Sequence, residues 1–428
     1  MFKPFDIPID GGLDVPLPRM FELQQVFERK KLDDIPGAVA AELQRPEIAG
    51  RIKPGMSIAI GVGSRGVANI AAAVKQLVTE VKALGGEPFI FPAMGSHGSA
   101  SAAGQTQVLA DYGVDEAGVG APVRATMDTK IVAEMDDGTP VHVDRYASEA
   151  DGIILVNRIK PHTTFRGEIE SGIVKMAVIG MGKIAGATAI HTHGMDHFPV
   201  ILPKVAALSI ANTNFLFGLG LVENAYDETA IIEALTAEAL FDREAILQAE
   251  SKRLLGRLFF DEIDVLIIDR MGKEISGAGF DPNVTGRNTR GVEGFDHPKV
   301  SKVVVLDLTE QTHGNASGVG AADVITRRLF ERIDFPATYA NIITSAYLDG
   351  GAIPLVMNNE RDAIQVAVKT VPRVKPEDTK IVRIRDTLTL GSIQASEPLF
   401  ELAKEHANLE PITEPEHWRF DNEGNLVS

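Results

Sequence analysis

Ser57–Gly63 reads SIAIGVG, Glu87–Pro92 reads EPFIFP and Asp151–Val156 reads DGIILV. Each is a short apolar run, and the first two end in a glycine-bearing polar loop. Between the first two, Val67–Leu84 carries apolar residues at helical spacing and stops at Gly85-Gly86. A second helical stretch runs from Ala102 to Tyr112. Short buried strands alternating with helices predict an α/β fold, with a mostly parallel sheet covered on both faces. Ligands of such sheets bind beyond the carboxyl ends of the strands. The loops in those places hold the most unusual residues of the chain.

Outward from this core, Val205–Val222 is the longest uncharged run. Asn212, Thr213 and Asn214 interrupt it, so it reads as a helix end followed by a strand rather than a membrane span. Asp227–Leu255 is rich in Ala, Glu and Leu and reads as one long helix. Ile263–Asp269 (IDVLIID), Val303–Leu308 and Lys380–Ile384 read as strands of a second α/β unit. These features predict an α/β domain over 1–258 and a second over 259–428, and a cleft between two such domains is a common ligand site. Gly272–Gly294 has few strand or helix cues, and a loop of that length in a compact domain is usually functional or disordered.

The 428 residues are 44% hydrophobic and 24% charged, a globular balance. With 42 Lys+Arg against 59 Asp+Glu, the formal net charge is −17, which argues against nucleic acid or an anionic membrane as main partner. The chain has no cysteine, which excludes disulfides, thiolate metal sites and cysteine nucleophiles. Any metal must be held by His, Asp or Glu, or by a bound cofactor. MFKPFDIPIDGG at the N-terminus lacks an apolar stretch of signal-peptide length, so a cytoplasmic protein is expected.

Candidate chemistry lies in four places. Gly61-Val62-Gly63-Ser64-Arg65-Gly66 joins a strand to a helix. Backbone N–H groups there, with Ser64 and Gly66, suit an anion, and Arg65 adds a two-pronged donor; a plain tight turn is the alternative. His97, in Gly95-Ser96-His97-Gly98-Ser99, is placed for acid–base work if it is not simply a surface histidine. Asn157–His197 holds four of the ten histidines (His162, His191, His193 and His197) together with Lys160, Arg166, Lys175 and Lys183. Lys175 sits in an otherwise apolar stretch, as a nucleophilic amine or as a snorkelling side chain. His191, His193 and His197, with Asp196, could be metal ligands or a polar helix start. In the fourth place, Lys273, Arg287 and Arg290 could bind a carboxylate-bearing substrate, or lie on a solvated loop.

Taken together, these segments resemble the nickel-pincer lactate racemase family of 2-hydroxy acid racemases and epimerases. Gly95-Ser96-His97 is similar to the family's first histidine loop, and His162 to its second histidine. Lys175 and His191 are separated by 191 − 175 = 16, the family's lysine-to-metal-ligand interval. The resemblance implies that Lys175 is joined covalently to a pyridinium-3,5-bisthiocarboxylic acid mononucleotide whose sulfurs hold nickel. His191 would be the protein's metal ligand, and Ser64, Gly66 and Gly172 would line the nucleotide. His97 and His162 would act as acid and base with Arg65 polarising the substrate. The partners implied are a small 2-hydroxy acid and cofactor-biosynthesis proteins, and a homo-oligomer is compatible.

The sequence departs from the family at Val62, where the family has Asp, and in a longer His162–Lys175 interval. Thr285 and Gly286 stand where a family tyrosine-bearing substrate motif is expected. Those departures imply a larger or sugar-derived acid rather than lactate. Two other readings stand beside this one: a nicotinamide-dependent oxidoreductase, and a non-catalytic anion- or metal-binding relative.

Overall fold

In a computed structural model, which describes residues 5–63, 66–288, 292–345 and 347–427, Ser57–Val62 forms an inner strand of a five-stranded sheet. The order is Glu87–Pro92, Ser57–Val62, Gly152–Arg158, Phe215–Glu223, Thr229–Thr236. The first four strands run parallel and the last is antiparallel to its neighbour. Alternate residues of one strand serve opposite cores. Ala59 joins Phe91, Leu155 and Leu202 on one face, while Ile58, Ile60 and Val62 join Leu77 and Val81 on the other. Two-sided burial explains why these strands read as continuous apolar runs instead of alternating ones.

The chain passes from Ser57–Val62 to Glu87–Pro92 on one side, then crosses to Gly152–Arg158 on the other. That reversal opens a crevice at the carboxyl ends of the two inner strands. The Asn157 side chain approaches the end of the first strand closely there. A Cβ on Gly63 would lie 2.6 Å from Oδ1 of Asn157, so any larger residue at the strand end would have to displace that side chain.

The second sheet has eight strands: Leu355–Met357, Val324–Thr326, Lys299–Leu308, Glu262–Met271, Ile381–Ile384, Ser392–Ser396, Met20–Gln25 and Leu409–Pro411. The first five are parallel and the remaining pairings antiparallel. Val265, Ile267, Val304, Ile364 and Ala367 form its core. The fold class is thus α/β, with two largely parallel sheets.

Two sequence expectations need correction. Residues 1–258 are not one unit. The compact units are Glu28–Leu255, and a second that runs from Gly256 and includes the N-terminal segment through Phe27. Met20–Gln25 pairs with Ser392–Ser396, a contact between chain ends that local periodicity cannot reveal. Likewise, Asp227–Leu255 is not one helix. Thr229–Thr236 is a strand paired with Phe215–Glu223, and the helix is Leu240–Leu254. The turn between the strands is fixed by Asn224, whose Oδ1 accepts from the backbone N–H of Tyr226 (2.9 Å) and Glu228 (3.1 Å). Sheet pairing overrides the helix preference of Ala, Glu and Leu there.

Candidate functional site

The segment after Gly152–Arg158 turns back on itself. The Lys160 N–H donates to the Ser171 carbonyl (2.8 Å), closing a loop that brings His162 back over the helical turn Ile173–Lys175. As a result, Nζ of Lys175 lies 2.8 Å from Nε2 of His162. The backbone N–H of Thr164 donates to Nδ1 of His162 (3.2 Å), and Oγ1 of Thr164 is 2.8 Å from the same nitrogen. A backbone N–H can only donate, so Nδ1 accepts. The proton of the neutral ring then sits on Nε2 and points at the lysine amine. Phe165, itself buried, stacks on the imidazole at 4.3 Å between centroids.

The backbone of His162 is fixed as well. Its N–H donates to Oε2 of Glu170 (2.7 Å), a fully buried carboxylate that is also 2.6 Å from Nζ of Lys252 and 3.5 Å from Arg166. Beyond Lys175, Met176–Gly180 forms a π-helical turn, and the chain then bends by 103° into Lys183–His191. Nδ1 of His191 donates to the Ala187 carbonyl (2.5 Å), which puts the lone pair of the neutral ring on Nε2. A metal-binding histidine is typically held in this way, by an N–H bond to a backbone carbonyl from its other nitrogen. The His191 ring lies 5.1 Å from Phe198, which in turn lies 5.5 Å from Phe165. Aromatic contacts therefore connect the His162 and His191 neighbourhoods.

His97 is exposed, and its loop is anchored from below. Nε2 of Gln105 donates to the carbonyls of Gly95 (2.8 Å) and His97 (3.2 Å). The Gly95 N–H donates to the Gly180 carbonyl (3.1 Å), which attaches the loop to the turn that follows Lys175. Gly95 takes a φ of 60° and packs on Ile179, so glycine suits it on both counts. Beneath lies Lys183, fully buried, 3.0 Å from the buried Asp144 and hydrogen-bonded to the Pro92 carbonyl and to Oε1 of Gln105 (3.1 Å). Burial pushes the Asp144 carboxyl up and the Lys183 amine down, each opposed by the other's charge.

Other expected residues are placed differently. Ser64, Arg65 and Arg290 lie outside the described residues. Gly66 is exposed, with open space where a Cβ would be. Gly172 is packed rather than open: a Cβ there would lie 2.3 Å from Oε1 of Glu244. His193 and His197 do not converge with His191. Nε2 of His193 is 2.9 Å from the Thr139 hydroxyl, and Nδ1 of His197 is 3.2 Å from Asp196. Among the described residues, no three His, Asp or Glu side chains group as a metal site.

In the other unit, Arg287 is ion-paired with Asp323 and donates to the Ser301 carbonyl (3.0 Å). Both contacts are made by Nη2, so that edge of the guanidinium is already engaged. Lys273 donates from Nζ to the Gly277 carbonyl (2.9 Å). Thr285 is fully buried, and a Cβ on Gly286 would lie 2.0 Å from the Pro298 carbonyl oxygen. Packing therefore accounts for both, and they carry no argument about substrate size. Among the described residues, no single helix is long and apolar enough to cross a membrane.

No family model and no curated protein matches the sequence. Among solved structures, the chain is similar to the lactate racemase apoprotein of Thermoanaerobacterium thermosaccharolyticum, with a TM-score of 0.51 and 12% identity. The match covers 87% of this chain and 99% of that one. The fold is lactate racemase-like. At that identity the likeness speaks for architecture alone, and the site must be argued from its own geometry.

Sequence reading missed Glu170, Glu244 and Asp144, and named Lys183 without giving it a role. Lys183 and Glu170 lie within the dense 157–197 segment and could have been singled out there. Glu244 has no local signal beyond its place in a helix.

Proposed function

We propose that the chain is an isomerase that inverts C2 of a 2-hydroxy acid, with a nickel-pincer nucleotide tethered at Lys175. The observation that carries this reading is the Lys175–His162 contact of 2.8 Å at the head of a bent helix whose far arm ends in His191. The contact fixes the Lys175 amine in place, and breaking it exposes the lone pair that acylation requires. His191 fits a single-ligand role, since its Nδ1 proton is already committed to Ala187. A metal here would draw its other donors from the nucleotide, in keeping with a chain that has no cysteine.

When bound, the nucleotide would supply a hydride acceptor. The chain's own part is proton handling. Acylation of Lys175 would remove the acceptor that the His162 Nε2–H now faces, leaving that N–H to donate to the substrate oxygen. His97, on a loop anchored beside the Lys175 helix, provides a second imidazole for the opposite stereochemical sense. Two imidazoles, one giving and one taking a proton, are what a reaction running both ways at one carbon needs.

The test uses protein produced together with cofactor-synthesis proteins. Intact mass is expected to show an adduct on the Lys175 peptide and close to one nickel per chain. Lys175→Ala abolishes both. His191→Ala keeps the adduct but lowers nickel retention at least tenfold. An adduct that survives in Lys175→Ala, or its absence from the wild-type chain, rejects the proposal. Interconversion of lactate and of a sugar-derived 2-hydroxy acid, followed by chiral chromatography, then separates the substrate classes.

A further inference from the structure

We infer that one face of the helix Leu240–Leu254 is a positioning element that sets Lys175 against His162, an inference that rests on the role proposed for Lys175. Glu244, Gln248 and Lys252 recur every four residues and so lie in line along one side of the helix. Each grips a successive part of the loop that carries the site. The Glu244 carboxyl accepts from the Val174 N–H, at 3.1 Å to Oε2 and 3.3 Å to Oε1, in the turn that bears Lys175. Oε1 of Gln248 accepts from the N–H groups of Glu170 and Ser171, both at 3.4 Å. Lys252 pairs with Glu170 and donates to the Gly167 carbonyl (3.3 Å). Glu170 in turn holds the His162 N–H.

The three side chains therefore reach both partners of the 2.8 Å contact, Lys175 through Val174 and His162 through Glu170. Glu244 and Gln248 are fully buried, and Gly172 leaves room for the carboxyl. A helix that served only to cover the sheet would be expected to present apolar side chains here. Its Leu240, Leu247 and Leu254 already do so toward the core. The polar row is an addition to that packing role, and what it touches is the backbone of the candidate site. Its members are positioning residues: they hold the backbone on either side of the amine and the Glu170 carboxylate.

The experiment measures trace acetylation of the cofactor-free chain with acetic anhydride at pH 7.5. The Lys175 peptide is quantified by mass spectrometry against the exposed Lys75 as internal reference. Glu244→Ala removes the acceptor of the Val174 N–H and releases the amine from His162. The Lys175-to-Lys75 labelling ratio is expected to rise at least threefold, while Glu244→Gln, which keeps an acceptor oxygen, stays within twofold of wild type. Lys252→Met acts at the partly exposed end of the row, where folding is least at risk, and is expected to raise the ratio at least twofold through Glu170 and His162. An unchanged ratio in Lys252→Met together with any soluble Glu244→Ala overturns the inference, as does a Glu244→Gln ratio equal to that of Glu244→Ala. If Glu244→Ala does not fold, Lys252→Met decides alone. Because the assay needs no nucleotide, its result is separable from the adduct test: a chain that never acquires the adduct can still show the labelling pattern, and the converse.

Discussion

Lys183→Met is expected to lower folding stability by about 3–5 kcal/mol, the usual cost of removing one partner from a buried ion pair. Lys183 and Asp144 are both fully buried at 3.0 Å, so the substitution leaves a carboxylate without water or countercharge. It also removes the donor to the Pro92 carbonyl and to Gln105. Lys183 holds a φ of 54°, a left-handed conformation that costs a non-glycine residue on the order of 1–2 kcal/mol. The paired variant Lys183→Met/Asp144→Asn is expected to recover a large part of the loss. It discharges the orphaned group, and the remaining amide oxygen can still accept from the Ala147 N–H, now bonded to Oδ1 at 3.1 Å. Urea denaturation with an unchanged m value measures both effects. A single-variant loss under about 1 kcal/mol would show that the pair contributes little. Local consequences are also expected, because Gln105 links Lys183 to the carbonyls of Gly95 and His97. Faster hydrogen exchange in residues 95–98 is the accompanying observation.

The second large effect concerns pH. Glu244 is fully buried, and loss of hydration pushes its carboxyl from 4.5 up to about 8, against the opposing pull of the Val174 and Ile173 N–H groups. The folded state therefore keeps a proton that the unfolded chain releases near 4.5. Stability from this group is fully present below pH 4.5, declines as pH rises, and is gone above about 8. The whole change is on the order of a few kcal/mol, since each pKa unit corresponds to about 1.4 kcal/mol. Glu244→Gln cannot ionise. Its stability relative to wild type is expected to improve steadily between pH 5 and pH 8, whatever fixed offset the extra amide protons impose. Equilibrium denaturation of both proteins at pH 5, 6.5 and 8 checks this. Parallel curves across that range would mean that Glu244 is already ionised in the folded protein.

These two groups also show where reading the sequence stops. Glu244 and Lys183 look like ordinary charged residues on helices, because a residue letter carries no burial. Lys183 is one of several lysines between Asn157 and His197, and nothing local marks it as the one whose amine is enclosed. Lys175 is the contrasting case. Its apolar neighbours Ile173, Val174 and Met176 do announce a partly covered amine, and its spacing to His191 is a property of the sequence alone. The histidine row 191, 193 and 197 misleads for the same reason that Lys183 hides. Spacing puts these residues on shared faces, but Thr139 and Asp196 engage His193 and His197 elsewhere. Arg287, read as a free cation on a glycine-rich loop, is taken by Asp323, 36 residues further along the chain.

The amino-acid order by itself determined the alternation of buried strands and helices, the glycine positions where backbone must come close, and the loops where reactive side chains gather. These follow from short-range sterics and from the apolar pattern within one element. Only the folded chain decided that Met20–Gln25 completes the distant sheet, that Thr229–Thr236 extends as a strand, and that His162 returns to within hydrogen-bond reach of Lys175. Those outcomes depend on pairing and burial between residues far apart in the sequence, and the free energy of such contacts exists only once both partners are in place.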